Sequence, residues 1–210
     1  MLLVPMTQIE MEVRAAITDY QKGNYPGMMD EMNAVKSLYQ QKGKTDEVLR
    51  ACIKGGHQWC LPNALVDQAV IALRQFNFNK KYDNFEEVYD CIMMLIGQIP
   101  RVCGWLTLYD TTRRLAYLLN PSIFPKKFVY VARGARNGAK YVLGINRMKS
   151  NEYCLPIADF QKLFPGISSM EIEDILCIYF HEGKFKGNLI TVPVTMGCRK
   201  KKSGRKGGCC

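Results

Sequence analysis

The chain has 210 residues, 48% of them hydrophobic and 23% charged, which is enough to bury an ordinary core and excludes wholesale disorder. Its formal charge is +10. Its longest apolar runs, residues 91–97 and 189–194, are far too short to span a bilayer. The apolar start Met1-Leu2-Leu3-Val4-Pro5 lacks the basic region and the length of a secretion signal, so the expected location is cytoplasmic.

In chain order the pattern is helical. Thr7-Gln8-Ile9-Glu10 has the spacing of a capping box, and Ile9, Val13, Ala16, Ile17 and Tyr20 follow on one helical face. The glycine- and proline-bearing segment 23–27 breaks that helix. A second runs over residues 28–41 through Met32, Val35, Leu38 and Tyr39 and ends at Gly43. Thr45 is placed to cap a short helix carrying Val48, Leu49, Cys52 and Ile53, stopped by Gly55-Gly56. Pro62 or Asn63 opens the next, with Leu65, Val66, Ala69, Val70 and Leu73 inward. Asn84 opens another, with Phe85, Val88, Ile92, Leu95 and Ile96 inward and Gly97 at its end.

Residues 104–119 give a further helix, whose broad stripe is Trp105, Leu108, Tyr109, Thr112, Leu115, Ala116 and Leu119. Asn120-Pro121 ends it. Residues 128–131 are a β-branched and aromatic stretch, and 134–143 a short helix stopped by Gly144. Ser168-Ser169-Met170-Glu171 is a second capping box, opening a helix with Ile172, Ile175, Leu176 and Tyr179 inward and Gly183 beyond it. Residues 189–194 read as a short strand, limited to an edge by Pro193. Past Gly197 the composition is that of a solvated tail. The expected fold is therefore mainly α: one helical-bundle domain over residues 1–183, followed by a flexible basic tail over 184–210.

The positive charge is segregated. Residues 99–149 hold ten Lys/Arg against one acid, Asp110, and residues 184–210 hold eight Lys/Arg and no acid. Residues 1–98 carry ten basic and twelve acidic side chains, so a neutral-to-acidic body bears two basic islands. That arrangement points to a polyanionic partner, nucleic acid or an anionic membrane surface.

Nine cysteines, at 52, 60, 91, 103, 154, 177, 198, 209 and 210, form no C-x-x-C pair and no zinc-finger spacing. Cys52, His57 and Cys60 lie close in sequence without an obvious fourth ligand, and free thiols in a reducing compartment are the simpler account. No metal or other cofactor is expected. Neither His57 nor His181 has an identifiable nucleophile nearby, so no triad is assigned.

Two segments are candidates for phosphate contact. Ile99-Pro100-Arg101-Val102-Cys103-Gly104 joins two helices, as the junction of a helix-hairpin-helix module does, where backbone amides and a helix dipole face an anion. Arg101, Arg113 and Arg114 would add sequence-independent contacts; the alternative is an ordinary turn with solvated arginines. Residues 133–140, with Arg133, Arg136 and Lys140, lack the G-x-x-x-x-G-K-[ST] spacing, which excludes nucleotide hydrolysis by a phosphate-binding loop. Gly134 and Gly138 permit either close packing or close approach to phosphate. Asp110 is the weak catalytic candidate, and a buried pairing with Arg114 one turn onward is the better account of it.

Three blocks in order carry a family resemblance: residues 107–116 (TLYDTTRRLA), 129–140 (VYVARGARNGAK) and 172–179 (IEDILCIY). Over about 56–179 the chain resembles a group of small uncharacterised bacterial proteins with a G-[IV]-G junction before a T-x-Y-D-T helix, then a V-Y-L-H-A-G-T-R-x-G-A segment. Asp110, Arg114, Tyr130, Gly134, Arg136 and Gly138 match. Arg101 and Cys103 stand in place of the junction glycines, and Ala132 in place of the histidine. The resemblance implies a helical fold with a helix-hairpin-helix-like element and, by analogy only, DNA rather than RNA as partner. The alternative that the analogy to helix-hairpin-helix DNA glycosylases implies is base excision with Asp110 as its acid.

The tail, with Lys200, Lys201 and Lys202 and the ending Gly207-Gly208-Cys209-Cys210, resembles the prenylated ends of Rab-type small GTPases. That resemblance implies lipid on Cys209 and Cys210 and attachment to an anionic membrane, since one lipid plus a basic run supplies the two signals that anchoring needs. A solvated tail assisting nucleic-acid binding is the more economical reading.

Overall fold

Both capping boxes form. In the computed structural model, which describes residues 7–23, 28–55, 58, 60–144 and 152–180, helix α1 (Gln8–Gln21) starts with Thr7 accepting from the Glu10 amide while Glu10 accepts from the Thr7 amide. Ser168 and Glu171 do the same for helix α8 (Ser169–Tyr179). Each box satisfies donors that a helix start would otherwise leave bare.

Between them run α2 (Met28–Lys42), α3 (Asp46–Lys54), α4 (Asn63–Leu73), α5 (Phe85–Ile96), α6 (Trp105–Leu119) and α7 (Arg133–Leu143). Strands β1 (Phe128–Tyr130) and β2 (Cys154–Pro156) pair antiparallel, with Val129 opposite Leu155. The protein is mainly helical, as expected. Among the described residues, contacts gather into two compact units: residues up to Asp30 together with those from Phe124 to residue 180, and Glu31–Ile123.

In the unit of Glu31–Ile123, α3 buries Val48, Leu49, Cys52 and Ile53, the four positions its periodicity predicts. Thr45 precedes α3 but makes no side-chain cap bond, whereas Asn84 caps α5 by accepting from the Glu87 amide. Helix α4 turns Val66, Ala69, Val70 and Leu73 inward, and α5 turns in Phe85, Val88, Tyr89, Ile92 and Ile96; Leu65 and Leu95 are only half-buried. The carbonyl-rich C-terminal end of α4 is closed by Lys44, whose Nζ donates to the carbonyls of Arg74 and Phe76.

Helix α6 departs from expectation. Instead of one apolar stripe, every residue from Thr107 to Ala116 is buried, polar ones included, and Trp105 at its start is exposed. A helix covered on all sides is an interior element, and this one packs on α3 and α5.

In the other unit, α7 packs on α8, with Ala135, Ala139 and Val142 buried and Gly138 against Leu176. A Cβ at Gly138 would collide with the Leu176 carbonyl oxygen and lie 2.9 Å from its carbon. Close packing is thus the role of Gly138, and Gly144 ends α7 at a left-handed φ of 64°. The strand β2 has no counterpart in the sequence expectation; residues 189–194, expected as a strand, and Gly183 lie outside the described residues.

Candidate functional site

Five side chains, Glu31 of α2, Gln58 beyond α3 and Asp110, Arg113 and Arg114 of α6, make one polar cluster, buried except for Glu31, which is half-buried. Arg114, 1% exposed, sends Nη1 to the carbonyl of Cys52 (2.8 Å) and Nη2 to Glu31 Oε1 (2.8 Å) and Gln58 Oε1 (3.3 Å). Gln58 turns its other end to Asp110, donating from Nε2 to Oδ2 at 2.6 Å. The second Asp110 oxygen lies 3.7 Å from Arg113 Nη2, and the Arg113 guanidinium sits 5.2 Å from the Tyr109 ring centre.

Among the described residues two cations and two carboxylates therefore share the cluster, and their formal charges cancel. Such a pairing offsets part of the desolvation cost that an isolated buried ion would carry in full. Gly55 makes the approach possible. A Cβ there would collide with Glu31 Oε1 and sit 2.9 Å from Arg114 Cζ and Nε, so a side chain at position 55 would push the ion pair apart.

Two expectations are corrected here. Arg113 and Arg114, expected at a phosphate, turn their guanidinium groups into the interior because Asp110 and Glu31 neutralise them there. Asp110 pairs with Arg113 at i+3 and with Gln58 rather than with Arg114 at i+4, because Arg114 is taken by Glu31, Gln58 and the Cys52 carbonyl.

Compared with protein-family models, curated proteins and solved structures, the chain matches none.

The remaining candidates stand apart from this cluster. Residues 97–104 connect α5 to α6. Arg101 is exposed and holds a left-handed φ of 66°, a conformation that favours glycine. The amides of Val102 and Cys103 both donate to the Ile99 carbonyl, so neither is directed at a ligand. Gly104 precedes α6 with no side-chain cap. Arg136 and Lys140 lie one turn apart on α7 and are half-buried; Arg133 begins that helix. Arg101 belongs to one unit and Arg136 and Lys140 to the other.

Lys200, Lys201, Lys202, Cys209 and Cys210, together with His57 and His181, lie outside the described residues. Cys52 is fully buried, which pushes its thiol up to about 12, against a lesser pull downward from Arg114. Cys60 and Cys103 are exposed. Among the described residues no group of three His, Cys, Asp or Glu is placed to hold a metal, and no helix is long and apolar enough to cross a membrane.

Glu31 and Gln58 had no place in the sequence reading, and Gly55 entered it only as the stop of a helix. Gln58 lies 52 positions from Asp110 and Glu31 lies 83 from Arg114, and no local pattern encodes such a pairing. The one signal was indirect: an isolated acid and a double arginine on a single helix.

Proposed function

We propose that this chain is a non-catalytic module that associates with nucleic acid through the phosphate backbone, reading charge and shape rather than sequence. The observation that carries it is the segregation of charge, above all eight Lys/Arg and no acid in residues 184–210. Phosphate contacts of this kind supply affinity without base specificity. Lys200, Lys201 and Lys202 are the first candidates, with Arg101, Arg133, Arg136 and Lys140 as contributors.

Arg113 and Arg114 drop out of that set, since each guanidinium is buried beside a carboxylate. The bonding of the Val102 and Cys103 amides removes two donors that a helix-hairpin-helix junction would offer, so the reading leans on side-chain charge. DNA is favoured over RNA only through the likeness of that junction to helix-hairpin-helix modules. Base excision by Asp110 is disfavoured because its carboxylate is 4% exposed and engaged by Gln58 and Arg113.

Fluorescence anisotropy of the full chain with a labelled duplex DNA, a matched RNA duplex and anionic phosphatidylserine vesicles tests the proposal. Binding to the DNA that weakens steeply with salt supports it. Binding to vesicles with none to either nucleic acid would replace it with a membrane partner.

A further inference from the structure

Helix α1 is fastened to its unit in an unusual way. Tyr179 of α8 donates to Asp19 Oδ2 at 2.7 Å, and Tyr20 of α1 donates to Asp174 Oδ2 at 2.8 Å. Each helix thus gives a phenol and receives one. A third phenol, Tyr141 of α7, donates to Glu12 Oε2 at 2.8 Å, while Gln8 donates to the other oxygen of that buried carboxylate.

The apolar contribution of α1 is small by comparison. Only Val13 and Ala16 are buried apolar residues on it, and Ala brings little area. Helix α8 buries Ile172, Ile175, Leu176 and Tyr179 and meets both α7 and β1. Burial of apolar area sets most of the cost of opening an element, and side-chain hydrogen bonds add about 1 kcal/mol each.

We infer that α1 is a strap: it opens from the α7–α8 pair as a unit, ahead of the rest, with the three tyrosine–carboxylate bonds as its latch. Opening uncovers Tyr141 and the α8 face that carries Asp174 and Tyr179. It also removes from beside α7 a helix holding three acids, Glu10, Glu12 and Asp19, against one base, Arg14.

Native-state hydrogen exchange of the full chain, read helix by helix by mass spectrometry, tests this. In the unaltered protein, α1 amides are expected to exchange at least about tenfold faster than α8 amides. The double variant Tyr20→Phe/Tyr179→Phe, which keeps both rings, is expected to speed α1 exchange by a further factor of about ten and leave α8 unchanged. Equal protection of α1 and α8, or equal acceleration of both by the double variant, would overturn the inference. The single variant Tyr141→Phe serves as an independent arm: it too speeds α1 alone if the latch exists, and leaves α1 exchange unaltered if it does not.

Discussion

Gln58 Nε2 donates to Asp110 Oδ2 at 2.6 Å, and through its other end the same amide touches Arg114, so one uncharged side chain bridges two opposite buried charges. An amide suits that place because it offers both a donor and an acceptor. Gln58→Ala is expected to cost about 1–3 kcal/mol in urea unfolding, the penalty for stranding buried partners. A double-mutant cycle with Asp110→Asn should give a coupling of about 0.5–3 kcal/mol; strictly additive losses would mean the bridge is not made.

Arg114→Ala is expected to destabilise the protein by about 3–5 kcal/mol, because it leaves Glu31 and the Cys52 carbonyl without their partner. Lysine cannot reproduce the fork that reaches three acceptors, so Arg114→Lys should also lose stability. Urea denaturation of both variants is the check. Wild-type stability in Arg114→Ala would place the guanidinium in solvent.

Gly55→Ala adds one methyl group where no room exists beside the Glu31–Arg114 pair. The backbone at Gly55 has an ordinary φ of −70°, so the effect comes from collision and not from conformation. A loss of about 1–3 kcal/mol is expected, measured by thermal or urea unfolding. In an Arg114→Ala background the same substitution should cost less, because one of the colliding groups is gone.

The buried Cys52 thiol fixes a pH dependence. Its folded value is raised from the ordinary 9.0 to about 12, so the folded state binds more protons than the unfolded chain in that interval. Stability from this group is fully present below pH 9 and is lost as pH rises toward 12. Unfolding measured from pH 8 to 10 should fall more steeply in the unaltered protein than in Cys52→Ala. A disulfide-exchange reagent near pH 8 should label Cys60 and Cys103 in the folded protein and reach Cys52 only on unfolding.

Local chemistry was legible in the sequence, and long-range partnership was not. Thr7 with Glu10 and Ser168 with Glu171 announce helix starts because both halves of each box lie three residues apart. The inward residues of α3 follow from a spacing of 3.6. Helix α6 misled the same reasoning. Periodicity separates an apolar face from a polar one, but the Asp110, Arg113 and Arg114 face is covered as well, by partners from α2 and the turn at Gln58. Charge alone therefore overstated the surface cations of residues 99–149. The three-residue β2 is too short to carry a period, and the pairing of Tyr20 with Asp174 spans 154 positions.

The salt dependence of duplex-DNA binding tests the central claim most directly, measured for the full chain and for Lys200→Ala/Lys201→Ala/Lys202→Ala between about 50 and 200 mM salt. The prediction is a linear fall of log affinity with log salt. Its slope in the triple variant should be shallower by up to about 2.7, from about 0.9 for each phosphate contact removed. Binding that ignores salt, no binding at the lowest salt, or an unchanged slope in the triple variant would contradict a phosphate-gripping basic tail.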